Sequence, residues 1–237
     1  MKKELEKTIG QMAAESPQFI AVFEKFNLDY YQNGQRTLGN ACIDAGVNEE
    51  KVRQVMGPPN GFPLKEKVDE NSTLSEIINL IVLRHHGFVR AQLEVMESLL
   101  VNMGKDDREV SQASLLRTLF LTLDESLRHH LLEEEIEVFP WLLWSERQGG
   151  GPGKTQENKN FPKAIHHILL DHRMMDQEFR EMKKLTFHFR ASNPGSGEIV
   201  KFSNILDGLD EDNHLHIHLE NNILLRKAAA LGILGNS

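Results

Sequence analysis

The sequence predicts an all-α protein: an antiparallel four-helix bundle preceded by a small helical N-terminal domain. Three observations carry that expectation. Four long stretches repeat apolar residues at steps of three and four. Runs that alternate apolar and polar residues with β-branched enrichment are almost absent. The connections between the long stretches are short, which favours neighbours running in opposite directions.

The domains are read as 1–62 for the small helical unit and 70–233 for the bundle. The leading part consists of short amphipathic segments broken by Pro17, by Asn33-Gly34 and by Gly46. The cluster Gly57-Pro58-Pro59-Asn60-Gly61-Phe62-Pro63 then changes the character of the chain. The first long stretch runs from Ser72 or Thr73, either a plausible N-cap with Glu76 completing a capping box, to Met103. The second runs from about Ser111 to Trp144, and Pro140 inside it is expected to kink or end the helix. After the glycine-rich loop at Gly149 the third opens at Phe161-Pro162, with proline in its first turn. It stops before Ser192-Asn193-Pro194-Gly195, and the fourth covers Glu198 to Leu231.

Composition bounds the function. The 237 residues hold 27 Lys and Arg against 35 Asp and Glu, a net charge of −8. That balance gives no electrostatic footprint for nucleic acid or an anionic membrane. Cys42 is the one cysteine, which excludes a disulfide framework or a thiolate metal site and suits a reducing compartment. A charged beginning without an apolar export stretch, and no run of 18 apolar residues, lead to the expectation of a cytoplasmic protein.

The informative residues are polar ones on apolar stripes. In the second stretch Leu116, Leu123 and Leu127 lead by steps of three or four into His130, Glu134 and Val138. In the third, Ile165, Ile168, His172, Met175 and Phe179 share a stripe. In the fourth, Phe202, Leu206, Leu209, His216, Glu220 and Ile223 do. In the first, His86 falls in line with Val82, Val89, Leu93, Met96 and Leu100, but His85 fits nearly as well. His129, His166, His167, His188, His214 and His218 fall off the stripes and read as surface residues.

The spacing His-x-x-x-Glu occurs twice, at His130–Glu134 and His216–Glu220, and four residues make slightly more than one turn. Each pair therefore sets an imidazole beside a carboxylate on one inward face. A buried ionised carboxylate without a partner costs several kcal/mol, and coordination of a cation removes that cost. His86, His130, Glu134, His172, His216 and Glu220 are accordingly read as metal ligands. Imidazole and carboxylate without thiolate suit iron, manganese or zinc. Six ligands exceed one tetrahedral zinc and divide into two metals. Each would have two histidines, and both glutamates would bridge, because a carboxylate has two oxygens to share. Such metals fall short of six ligands, so the site is expected to be reactive or exchangeable.

The Glu-x-x-His spacing of ferritin-like carboxylate proteins occurs at Glu211–His214, but on a wet face. The five-histidine pattern of oxygen-carrying hemerythrins is absent, since Ile168 and Asp176 stand four residues either side of His172. What the chain resembles is the hemerythrin-like di-iron family involved in repairing iron–sulfur clusters after nitrosative and oxidative damage. The resemblance lies in Arg84-His85-His86-Gly87 with Gln92-Leu93, His130 through Pro140, Asp171-His172, and His216 through Leu224.

The resemblance implies His86, rather than His85, with His130, His172 and His216 as terminal ligands, and Glu134 and Glu220 as bridges. It implies two non-haem iron ions as cofactors, bridged by carboxylate and by an oxo or hydroxo group. Support of iron–sulfur cluster repair, by iron release or nitric-oxide consumption, is the implied function, and a reversible O2- or NO-binding sensor or storage protein is the alternative. Redox activity toward NO or O2 is left open. The implied partners are iron–sulfur client proteins and O2 or NO as small ligands, with no nucleic acid and no membrane, and the expected assembly leans to a homodimer.

The leading domain is similar to that family's through Phe26-Asn27-Leu28-Asp29-Tyr30 and Gln35 through Cys42. Where the family has Asp-Phe-Cys-Cys-Gly-Gly, this chain has Asp29-Tyr30-Tyr31-Gln32-Asn33-Gly34. The missing thiol pair removes any redox or metal-handing role tied to it. Dimerisation or docking of a client is the expected role of the domain instead. Cys42 reads as a small buried residue.

Overall fold

The computed structural model describes residues 7–56, 68, 72–103, 110–149, 161–192 and 196–234. The linker cluster at 57–63 and most of the two glycine-rich loops, 150–160 and 193–195, lie outside the described residues. Among the described residues every regular element is helical, and β pairing is limited to one bridge between Thr8 and Thr37.

Four short helices form the leading domain: α1 (Ile9–Glu15), α2 (Gln18–Lys25), α3 (Leu38–Ala45) and α4 (Glu49–Met56). The breakers act as the sequence suggests. Pro17 sits at the entry to α2. Gly46 closes α3 in the left-handed conformation at φ +66°, which lets the Val47 N–H reach the Cys42 carbonyl at 2.9 Å. Ile9, Phe23, Leu28, Tyr30 and Cys42 form the core of this domain, and Ile217 of the bundle completes it.

The bundle consists of four rods. The first joins α5 (Leu74–Leu80), a π-helical segment (Ile81–His86) and α6 (Gly87–Met103). Thr73 is its N-cap, in a reciprocal capping box with Glu76. The second joins α7 (Val110–Glu133), a π-helical segment (Glu134–Val138) and α8 (Phe139–Arg147). The third is the unbroken α9 (Phe161–Ser192). The fourth joins α10 (Gly197–His218), a π-helical segment (Leu219–Leu224) and α11 (Leu225–Ala230). The rod α6 packs on α7 and α10, and α9 packs on α7 and α10, which closes a square around one core. Phe120, Phe179, Phe202, Leu93, Leu123 and Leu209 fill it.

Pro140 does not end the second rod, because α8 continues to Arg147. The proline is the second residue of α8, directly after the π-helical segment. Its missing N–H and its ring would disturb the regular i to i−4 ladder just upstream, and the wider π turn is where that ladder is already re-spaced.

A second correction concerns the fourth rod. His218 is buried and His214 is half-buried rather than on the open surface. The leading domain lies over them, leaving His218 2% exposed and pairing the Tyr31 ring with His214 at 4.0 Å and 13°. Periodicity within one helix cannot show that a separate unit covers its outer face. His129, His166, His167 and His188 are exposed, as expected.

Candidate metal centre

The four rods bring His86, His130, Glu134, His172, His216 and Glu220 together in the bundle interior, and each is 2% exposed or less. His86 and His172 lie early in their rods, His130 and His216 late, so they meet at one level only because successive rods reverse direction. Three rods adopt π-helical turns at that level, and the segments end at His86, begin at Glu134 and contain Glu220. A π turn adds a residue to the helical circuit and is frequent at functional sites. It also explains why His85 and His86 are both buried, at 3% and 0%.

Two groups of donors form, each with all its candidate ligand atoms within 4.8 Å of one another. One is His86, Glu134, His216 and Glu220; the other is His130, Glu134, His172 and Glu220. Both glutamates belong to both groups. Oε2 of Glu134 lies 3.3 Å from His86 Nε2, and its Oε1 lies 3.5 Å from His130 Nε2. Oε1 of Glu220 lies 2.8 Å from His216 Nε2, and its Oε2 lies 3.1 Å from His172 Nε2. Each carboxylate thus offers one oxygen to each side.

The chemistry of the set fits cations. Both ring nitrogens of His130 and of His172, Oε2 of Glu134 and both oxygens of Glu220 are buried without a hydrogen-bond partner in the fold. Buried polar atoms are normally satisfied, so seven orphans converging on one place mark a site built for something the chain does not supply. Burial opposes the charge on His216, yet Glu220 and Glu134 outweigh it and hold the imidazole well above its usual range. Burial likewise opposes the charge on His130, and Glu134, with Asp171, raises it on balance. Burial dominates at His172 and lowers it. Burial would raise Glu220, but His216 and His172 bring it well below the usual carboxylate range. The cluster favours imidazolium and carboxylate charges paired with one another.

Outer partners orient two of the imidazoles. His86 Nδ1 lies 2.7 Å from Glu135 Oε1, which also accepts from Arg90 at 2.9 Å. An ionised carboxylate only accepts, so Nδ1 carries the proton and the Nε2 lone pair points inward. Asp171 Oδ2 stands 3.9 Å from His130 Nδ1, a charge contact rather than a hydrogen bond. Glu135, Arg90 and Asp171 flank the apolar stripes, so helical periodicity does not select them. The acidic run Glu133-Glu134-Glu135 and the adjacency of Asp171 to His172 are the only signals the sequence holds for them. His85 pairs with Asp212 at 3.0 Å, and its ring stacks parallel to His216.

The leading domain reaches this level through the segment that stands where the cysteine pair would be. Tyr31 Oη donates to Asp176 at 3.2 Å, and Gln32 Nε2 donates to the His172 carbonyl at 3.1 Å. His214 Nδ1 meets Glu24 Oε1 at 3.0 Å. Asn222 Nδ2 donates to the carbonyls of Tyr30, at 3.0 Å, and Tyr31, at 3.2 Å. Burial pushes His218 down to about 4, so its neutral Nδ1 accepts from Asn222 at 3.1 Å. Among the described residues no helix is long and apolar enough to cross a membrane.

Comparison with known proteins agrees with this geometry. Residues 78–228 match the family model described as the hemerythrin HHE cation binding domain, and residues 5–57 match a domain of unknown function, DUF542. The iron–sulfur cluster repair protein YtfE of Musicola paradisiaca (strain Ech703) is 28% identical over 240 residues, covering 94% of this chain and 96% of that protein. The protein of the same name from Dickeya chrysanthemi (strain Ech1591) is 26% identical, and that from Escherichia coli O157:H7 is 25% identical, both with the same coverage. With its own bundle, donor cluster and leading domain in the order those matches require, the chain belongs to the hemerythrin HHE cation-binding family.

Proposed function

We propose that the protein is a non-haem di-iron protein of the cytoplasm that supports repair of iron–sulfur clusters damaged by nitrosative or oxidative stress. The observation that carries this reading is the pair of four-residue groups sharing Glu134 and Glu220. His86 and His216 would hold one iron, His130 and His172 the other, with Glu134 and Glu220 shared between them. Such a pair would supply one-electron redox chemistry toward oxygen or nitric oxide.

The chain's own residues set how firmly the metals sit. Neutral imidazoles hold ferrous iron less tightly than a thiolate cage, which suits release to a damaged cluster. Glu135 and Arg90 keep the His86 lone pair aimed inward. Relatives similar over 94% of the chain carry the name of iron–sulfur cluster repair proteins, which supports the same role here.

Anaerobic purification, iron quantification and Mössbauer spectroscopy test the centre. Two irons per chain with a coupled spectrum are expected, and fewer than one iron per chain refutes it. The repair role is tested by adding the loaded protein to an iron–sulfur hydratase inactivated by nitric oxide. Recovery of hydratase activity is expected from the loaded chain but not from a Glu134→Leu variant. A second reading, a reversible O2 or NO sensor, is favoured by the Gln32 bond to the His172 carbonyl, which ties the leading domain to a candidate ligand. Reversible gas binding without hydratase recovery would select it.

A further inference from the structure

Ser145, Thr186 and Asn213 are buried polar residues that neither the donor cluster nor the leading-domain interface uses, and of these Asn213 alone stands one helical turn from a donor on its own rod. Asn213 is 0% exposed, and both its Nδ2 and Oδ1 are buried without a hydrogen-bond partner in the fold. Its place follows from the alternating directions of the rods. One turn toward the 103/110 end of the bundle means three residues after His86 and His172, and three before His130 and His216. Those positions are Val89, Met175, Leu127 and Asn213, all buried. The layer adjoining the donor cluster therefore contains three apolar side chains and one carboxamide. Beyond it Leu209 and Leu206 continue the apolar core on the same rod.

A carboxamide has two donor hydrogens and an acceptor oxygen, and a fully buried one is ordinarily satisfied. Val89, Leu127 and Met175 offer nothing, and the imidazoles and carboxylates on the other side make no bond with it. Leucine of nearly the same size would fill the position without leaving polar atoms unmatched, as it does at Leu127 and Leu209. The amide is therefore matched to a group that enters from the centre.

We propose that Asn213 is a specificity-determining residue that hydrogen-bonds a small exogenous ligand of one to three atoms seated at the centre, of the water or azide class. The amide N–H donates to the electron-rich end of that ligand, while the three apolar neighbours limit its size. This rests on the di-iron reading above. The carboxamide distinguishes ligands that accept a hydrogen bond from those that do not, and so biases which of them the centre retains.

The test uses azide and the full iron-loaded chain, native and Asn213→Leu. At equal iron content the variant should bind azide about tenfold more weakly, the loss of one hydrogen bond to an anion. The azide infrared stretch should shift between H2O and D2O in the native protein and not in the variant. Equal azide affinity at equal iron content, or a D2O shift that survives the substitution, overturns the proposal. Asn213→Ala serves the same two measurements if the leucine variant does not fold. A native chain that holds no iron pair sinks the proposed function and this inference with it. A native pair whose azide binding ignores both substitutions sinks this inference alone.

Discussion

His86 and Glu135 are joined at 2.7 Å, and the same carboxylate oxygen accepts from Arg90 at 2.9 Å, so one acidic residue outside the donor cluster fixes the tautomer of a residue inside it. Burial alone would raise Glu135, but His86 and Arg90 hold it below the usual carboxylate range, so it stays an acceptor at neutral pH. Glu135→Ala should weaken iron binding about 10- to 100-fold, the usual effect of removing such an outer partner. Competition with a chelator would measure it. Unchanged affinity would show that the Glu135 contact does not govern the His86 ring.

Each shared glutamate offers one oxygen to each group, so its loss should affect both metals together. Glu134→Leu or Glu220→Leu should abolish the coupled pair while sparing the fold, because leucine suits the buried surroundings. Iron analysis with Mössbauer spectroscopy reads this out. A variant that retains two coupled irons would remove the bridging role from that glutamate.

The imidazoles differ in what a metal must displace. Against burial, Glu220 and Glu134 raise His216 and, with Asp171, Glu134 raises His130 above the ordinary histidine value, which favours their protonated forms, while burial lowers His172 and favours its neutral form. Iron loading should therefore release protons from His216 and His130 rather than from His172. Affinity should climb as pH rises toward the raised values. The metal-free fold responds with the opposite sign. A histidine raised on folding contributes its full stability below about 6.5, its unfolded value, and loses it as pH rises through the folded one. Proton release measured in weakly buffered solution during ferrous titration checks this, and loading without it would contradict the prediction.

The leading domain is fastened by a close approach. A Cβ at Gly34 would come within 2.2 Å of Asn222 Oδ1 and 2.6 Å of the Tyr30 carbonyl oxygen. Gly34→Ala should cost about 1–3 kcal/mol, the range for forcing extra volume into a packed contact. Asn222→Leu should cost a similar amount, about 1–3 kcal/mol, through the Tyr30 carbonyl, since the Tyr31 carbonyl keeps the Asn221 amide as a donor at 3.2 Å. Hydrogen exchange should then rise in α1 and at Tyr30–Gly34 before it rises in α7. Protection unchanged in those segments would mean that the contact does not hold the domain in place.

The helical class, the four rods and the inward histidines were legible because a helix repeats its faces within a single segment. The steps of three and four that select His130, His172, His216 and the two glutamates need no knowledge of neighbouring rods. The capping box at Thr73 and Glu76 was legible for the same reason, since both partners sit in one turn. His85 against His86 was less clear because the stripe assumes a regular helix, and the rod is π-helical there.

By itself, then, the order of residues determined which polar groups turn toward the inside of each rod, because that depends only on local geometry. The tertiary structure alone decided which of them meet. It divided six donors into two groups with shared carboxylates, placed Glu135 and Asp171 behind two imidazoles, and left the Asn213 amide unmatched beside the cluster. It also laid Tyr31 and Gln32 over His214 and the His172 carbonyl, burying a face that the fourth rod's pattern marks as wet. These relations join residues far apart in the chain, and they exist only once the core has drawn the rods and the leading domain to fixed distances.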